Sequence, residues 1–181
     1  MNKVEGQLVQ LRLNELLVNP IAGKLDLTYL QKIHAHLFQD VYPWAGKIRE
    51  VAIHKEQTTF CLPAYIKDNM DRINQEIVKL KCFENMDFPQ FSTNLGRVWG
   101  DINYLHPFRE GNGRSTREYI RCIAANAGYE IDWSRASKEE ILMAAKTDNY
   151  EPLLNQVVRN KTIDRQLQRD MKKALSLSKK R

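Results

Sequence analysis

Thirteen residues near the middle of the chain hold most of its chemistry: Leu105-His-Pro-Phe-Arg-Glu-Gly-Asn-Gly-Arg-Ser-Thr-Arg117. His106 is the one side chain here that titrates near neutral pH, so it is the candidate to take a proton from an attacking hydroxyl. Gly111, Asn112 and Gly113 let the backbone turn closely and offer its N–H groups at the start of a helix, where anions bind. Arg114 and Arg117 are neighbours in the first turn of that helix, and two guanidinium groups beside exposed amides suit a polyphosphate. Glu110 adds a single carboxylate. Mg²⁺ commonly takes one or two carboxylates and fills its octahedron with phosphate oxygens and water, so this donor fits a metal that arrives with a nucleotide. Each residue alone has an ordinary structural reading, and Phe108 reads as the inward anchor of the turn. Together they amount to a phosphate-binding site with a candidate base.

The elements around this turn are read from hydrophobic spacing, which is helical almost throughout. Leu8, Leu11, Leu16 and Leu17 mark a first helix that stops near Asn19-Pro20. Asp26 caps a second, with Leu30, Ile33, Leu37 and Phe38 on one side. Pro63 introduces a third, through Ile66, Met70, Ile73, Ile77 and Leu80. A fourth runs from about Phe88 to Tyr104, and a fifth starts around Gly113 and carries Ile120, Ile123 and Ala124. Shorter helices are expected over 138–146 and 150–158, and a last one through Ile163, Leu167, Met171 and Leu175. Lys47–His54 is rich in β-branched residues and is followed by a polar run and Thr58-Thr59-Phe60, which predicts a short hairpin projecting from the helices. The expected class is all-α with one β-hairpin. No linker rich in Pro, Gly or Ser divides the chain, and 181 residues suit one domain.

The net charge of +6 raises the question of nucleic acid. Nine Lys/Arg and two Asp/Glu fall between Arg159 and Arg181, so the rest of the chain is close to neutral. A basic terminal helix of this kind is more often a solvated face than a phosphate-tracking surface, and nucleic acid is not the expected partner. Cys61, Cys82 and Cys122 are far apart and odd in number, which points to a reducing cytoplasm rather than to disulfides or a metal. The first ten residues lack the apolar core of a signal peptide, and no run of 18 apolar residues suggests a membrane span.

The segment His106–Arg117 meets every specified position of the pattern His-Pro-Phe-x-(Asp/Glu)-Gly-Asn-Gly-Arg-x-x-Arg, and so resembles the signature of the Fic family. Tyr42-Pro-Trp-Ala-Gly46 with Arg49 and then Phe60 is similar to the family's flap, and Asp148–Leu153 to its nucleotide-side C-terminal segment. The resemblance covers most of 28–158, with 159–181 as a basic C-terminal helix. It implies a compact Fic fold and a protein adenylyltransferase that moves AMP from ATP to a Tyr, Thr or Ser hydroxyl of a target protein, with Mg²⁺. By position, His106 would be the general base and Glu110 the metal ligand. Gly111, Asn112, Gly113, Arg114 and Arg117 would hold the phosphates, with Asn149 and Tyr150 near adenine or ribose. A target segment would dock along the flap at Ile53, His54, Thr59 and Phe60 by strand addition.

Relatives that phosphorylate their targets carry lysine in place of Gly113 and lack the acid, so the residues here favour AMP transfer. Many members also contain an inhibitory (Ser/Thr)-x-x-x-Glu-(Gly/Asn) helix. Its nearest counterpart here, Thr147–Pro152, ends in proline, so the expected inhibitor is a separate antitoxin that brings a Glu to Arg117. Two other readings compete: a nucleic-acid-binding module built on the basic tail, and a catalytically inactive relative that still binds nucleotide. His34 and His36 read as structural, and Trp44, Trp99 and Trp133 as core.

Overall fold

A computed structural model describes residues 3–55, 58–84 and 86–160. Seven α-helices carry this part of the chain: α1 (Lys3–Val18), α2 (Leu27–Phe38), α3 (Ile66–Lys79), α4 (Phe88–Leu105), α5 (Asn112–Asn126), α6 (Lys138–Thr147) and α7 (Glu151–Val157). Among the described residues there are two small antiparallel strand pairs, of which the first is a hairpin. One pairs β1 (His54–Lys55) with β2 (Thr58–Thr59), and the other pairs β3 (Tyr129–Ile131) with β4 (Val158–Asn160). The expected terminal helix through Ile163 and Leu175, like most of the basic tail, lies outside the described residues.

The pair α4 and α5 forms the centre, with α2 against α5, α3 and α7 against α4, and α1 against α2. Their facing stripes make one core, in which Phe38, Phe91, Leu95, Ile102, Phe108, Ile120, Ile123 and Leu154 are completely buried. The helix starts follow the expected capping chemistry. The Asp26 carboxylate accepts from the Tyr29 N–H at 2.9 Å, and Asp87 does the same for Gln90 at 2.9 Å. Ser137 and Glu140 form a reciprocal capping box at the start of α6.

Two expectations need correction, and one strand pairing was not expected. The buried face of α1 is Val9 and Leu16, while Leu11 and Leu17 are 54% and 59% exposed. Leu8, Leu11, Leu16 and Leu17 spread over about two and a half turns and point in different directions, and α2 is the main helix packed against α1. The flap hairpin is also shorter than Lys47–His54 suggests. Its register is His54 opposite Thr59 and Lys55 opposite Thr58, and the β-branched stretch before it is not strand. Within that stretch Arg49 is buried and Ile48 and Ile53 half-buried, Val51 is exposed, and the Arg49 N–H donates to the Pro107 carbonyl of the motif turn. The β3–β4 pairing gave no signal in the sequence, because three-residue strands are too short for an alternation to register and two α-helices separate them.

Candidate active site

Helix α4 ends because His106 turns into the left-handed region, at φ 44° and ψ 59°. That conformation is uncommon for a residue with a side chain and marks a place where the surroundings hold strain. The imidazole Nδ1 lies 3.2 Å from the Asn103 carbonyl oxygen. A carbonyl can only accept, so Nδ1 carries the proton and Nε2 keeps its lone pair. The Phe60 ring stacks on the imidazole at 3.8 Å between centroids. Burial lowers the pKa of His106 to about 4, with the Arg49 and Lys55 charges acting the same way and the Asn103 bond and Glu110 opposing. The ring is therefore neutral at pH 7, with one acceptor nitrogen available.

After His106 the chain turns through Pro107–Gly111 and enters α5. The Asn112 side chain closes this turn. Its Oδ1 accepts from the Phe108 N–H at 2.8 Å and its Nδ2 donates to the Phe108 carbonyl at 2.7 Å. Asn112 thus acts as a second peptide unit that fixes the loop, while the backbone at Gly111–Gly113 forms the helix start. Gly111 is required twice over. Its φ is +81°, and a Cβ there would lie 2.4 Å from the Phe38 ring.

A cavity of about 250 Å³ is lined by His106, Glu110, Asn112, Gly113, Arg117, Tyr150, Trp99, Asn103, Lys55 and, from α6, Lys138, Ile141, Leu142 and Ala145. His106, Glu110, the start of α5 and Arg117 therefore share one space. Tyr150 is 2% exposed and stacks on Trp99 at 4.5 Å between centroids. Its hydroxyl has no hydrogen-bond partner among the described residues. A buried hydroxyl without a partner costs free energy, and here it stands in the wall of the cavity, where a ligand can satisfy it. Among the described residues no carboxylate pairs with the Arg117 guanidinium, whose pKa is pushed down by burial and by the Arg114 charge.

Other expected site residues lie elsewhere. Arg114 and Arg117 line a second cavity of about 300 Å³ between α1 and α5, with Gln10, Leu13, Leu17, Glu118, Arg121, Trp133 and Ile141. Arg114 stacks over the Phe38 ring and donates to the Glu5 carboxylate at 2.7 Å, and the Tyr42 hydroxyl donates to the same oxygen at 3.2 Å. The Arg114 bond holds the Glu5 carboxyl below the usual range. Asn149 does not reach the His106 cavity. It is exposed and lines a groove between α6 and α7 with Met143 and Pro152. Of the flap residues, His54 and Thr59 are exposed on the hairpin and Ile53 is half-buried just before it. Phe60 is 7% exposed. Its ring stacks on His106.

One contributor, Glu5, was absent from the sequence reading, and two others, His34 read as structural and Arg49 read as part of the flap, make contacts that the reading did not give. Glu5 sits in Met1-Asn-Lys-Val-Glu5-Gly6, which a search anchored on Ser or Thr passes over. The Glu-Gly pair at the start of the first helix was the available signal. His34 is fully buried. Its Nδ1 accepts from the Gly46 N–H at 2.8 Å and its Nε2 donates to the Glu110 carbonyl at 3.0 Å. It stacks on Phe108 at 3.8 Å between centroids, so it ties α2 to both the flap approach and the motif turn. Arg49, 2% exposed, donates to carbonyls on both sides of the flap and the motif.

Comparison with known proteins places this geometry. The chain is 40% identical over 150 residues to the protein adenylyltransferase VbhT of Bartonella schoenbuchensis, covering 83% of this chain and 31% of that protein. It is 35% identical over 113 residues to the probable protein adenylyltransferase Fic of Escherichia coli, covering 62% of this chain and 56% of that one. The chain thus spans about a third and just over half of these two relatives. Among solved structures, the N-terminal Fic domain of a VirB-translocated Bep effector from Bartonella quintana superposes with a TM-score of 0.80 at 22% identity, over 94% of this chain and 87% of that one. BepC from Bartonella tribocorum, solved with bound AMPPNP, superposes with a TM-score of 0.78 at 21% identity, over 87% and 86%. The Fic/DOC family profile matches residues 24–124, more than half of the sequence and the whole of the motif turn, and the chain belongs to that family.

Proposed function

We propose that the chain is a protein adenylyltransferase, which moves AMP from ATP to a Tyr, Thr or Ser hydroxyl of a target protein. The observation that carries this reading is the neutral His106 ring, its Nε2 lone pair available, in one cavity with Gly113, Arg117 and Glu110. The target oxygen attacks the α-phosphorus, its proton passes to Nε2, and the bond to the β-phosphate oxygen breaks to release diphosphate. Amides of Gly111–Gly113 and the guanidinium of Arg117 take the phosphate charge, and Arg114 joins them once it leaves the Glu5 carboxylate. Glu110, an exposed carboxylate, would hold Mg²⁺ together with phosphate oxygens. Among the described residues no set of three His, Cys, Asp or Glu forms a preformed metal cage, which fits a metal that arrives with the nucleotide. When bound, Mg²⁺ would neutralise charge on the leaving diphosphate. The Tyr150 hydroxyl and the Trp99 face suit the nucleoside end, and the edge at His54 and Thr59 suits strand addition by the target.

Incubation with ATP labelled on the α-phosphate, Mg²⁺ and a cell lysate tests the reading. Labelled protein bands are expected, and His106→Ala should weaken them by about 10²–10⁴-fold, the usual contribution of a general base. Label transferred from the γ-phosphate instead would mean phosphorylation and would overturn it. ATP binding with no bands from either label would mark an inactive relative.

Regulation by a separate antitoxin is part of the same reading. Arg117 has no acidic partner among the described residues, so a carboxylate from another protein has a place to bind. The three cysteines are all unpaired, which suits action in a reducing cytoplasm. Among the described residues no helix is long and apolar enough to cross a membrane. A small partner protein should silence the isolated chain, and loss of its glutamate should restore transfer. If the isolated chain is silent and Glu5→Ala alone turns it on, the carboxylate already on Arg114 is the inhibitor and no antitoxin is needed.

A further inference from the structure

Arg49 carries a full charge at 2% exposure, and among the described residues no carboxylate pairs with it. Its fork is spent on main-chain carbonyls. Nε donates to His106 at 2.7 Å, Nη1 to Val51 at 2.8 Å, and Nη2 to Cys61 and, at 3.3 Å, to Leu105. Its own backbone N–H donates to Pro107 at 2.9 Å, and the Cys61 N–H donates to Tyr104 at 3.0 Å. Two of these acceptors, Val51 and Cys61, bracket the flap hairpin. The others, Leu105, His106 and Pro107, are the end of α4 and the turn that carries the base. A buried guanidinium is costly, and an apolar side chain could fill the same volume at less cost if packing were its only task. The left-handed backbone of His106 also needs support from outside its own segment.

We propose that Arg49 is a positioning residue for catalysis, which holds the flap and the His106 turn in one fixed relation through a single guanidinium fork. An acceptor hydroxyl presented along the flap then meets the imidazole without a search. This rests on the reading of His106 as the base. A lysine at position 49 would keep the charge, but one ammonium cannot span carbonyls on both segments as the planar fork does. The charged groups that face the imidazole are Arg49, Lys55 and Glu110, so removing Arg49 also removes one of its two positive neighbours.

The test compares Arg49→Met, Arg49→Lys and His106→Ala with the parent chain. Each is checked for cooperative thermal unfolding, for affinity for Mg²⁺-ATP by calorimetry, and for transfer of α-phosphate label to lysate proteins. The His106 ring is titrated by NMR. Both Arg49 variants are expected to keep the parent's ATP affinity while transfer falls by about a hundredfold, the scale of an ångström-sized misplacement. Arg49→Met should also raise the His106 pKa, and Arg49→Lys should raise it less while leaving transfer low. Parent-level transfer in a folded Arg49→Met chain overturns the proposal, as does ATP affinity lost in step with transfer. If neither variant folds, Arg49 serves stability and the proposal falls. Full transfer by His106→Ala would instead sink the base assignment, a separate failure.

Discussion

At the scale of single residues, the imidazole of His106 sets a pH dependence that differs from that of an ordinary histidine. Its pKa stands at about 4 against the usual 6.5, so the acceptor form persists well into acid. Transfer measured as kcat/KM for ATP, which reports the nucleotide-free chain, should be flat, as far as this group is concerned, down through about pH 6.5 and should fall only as the pH approaches about 4. A limb near 6.5 would mean that the ring is not buried as described. Gly111 offers a stability test. With φ at +81° and Phe38 where a Cβ would go, Gly111→Ala meets both backbone strain and overpacking. A loss of about 2–4 kcal/mol in denaturant unfolding is expected. The motif residues were legible because their spacing is local: His106 to Arg117 is one turn and one helical start. The contacts of Glu5, Arg49 and His34 were not, since their partners lie 109, 57 and 76 positions away and nothing in the neighbouring residues announces them.

At the scale of elements, hydrophobic spacing did most to make the helices readable, with Asp26 marking one start in advance. The Asp87 cap and the Ser137–Glu140 box were not singled out, although both are local side-chain chemistry. Ser137→Ala should cost about 1 kcal/mol of stability by removing the Ser137 half of the box. Because α6 forms one wall of the His106 cavity, the same change should raise KM for ATP more than it lowers kcat. An unchanged KM would mean that α6 does not touch the nucleotide. The helix α1 was misread for a physical reason. Its leucines exceed what one neighbouring helix can cover, so periodicity alone could not choose the buried stripe. The short strands escaped because pairing over two or three residues is decided by the chain that comes alongside, here α7's exit against the β3 segment.

For the molecule as a whole, the fold depends on buried groups that must stay uncharged. His34 sits fully buried between α2, Gly46 and Glu110, and burial lowers its pKa to about 4 from 6.5. The unfolded chain binds this proton more readily than the folded one between those values, so stability falls as the pH drops through that window. By linkage the loss is on the order of 3 kcal/mol for His34, complete only below about pH 4. Thermal midpoints taken from about pH 8 to 4 should show the decline beginning near 6.5, and His34→Gln should start lower and flatten it. A midpoint that is level across the window would contradict the neutral, doubly bonded ring.

Arg117 stands in the wall between two compartments, the one that holds His106 and the one between α1 and α5. A small anionic molecule lodged behind α1 would therefore reach the same guanidinium from the rear. It would compete with the far end of a triphosphate while leaving the aromatic slot at Trp99 and Tyr150 open. Leu13, Leu17 and Gln10, which line only the rear compartment, are the side chains against which such a compound would gain its selectivity.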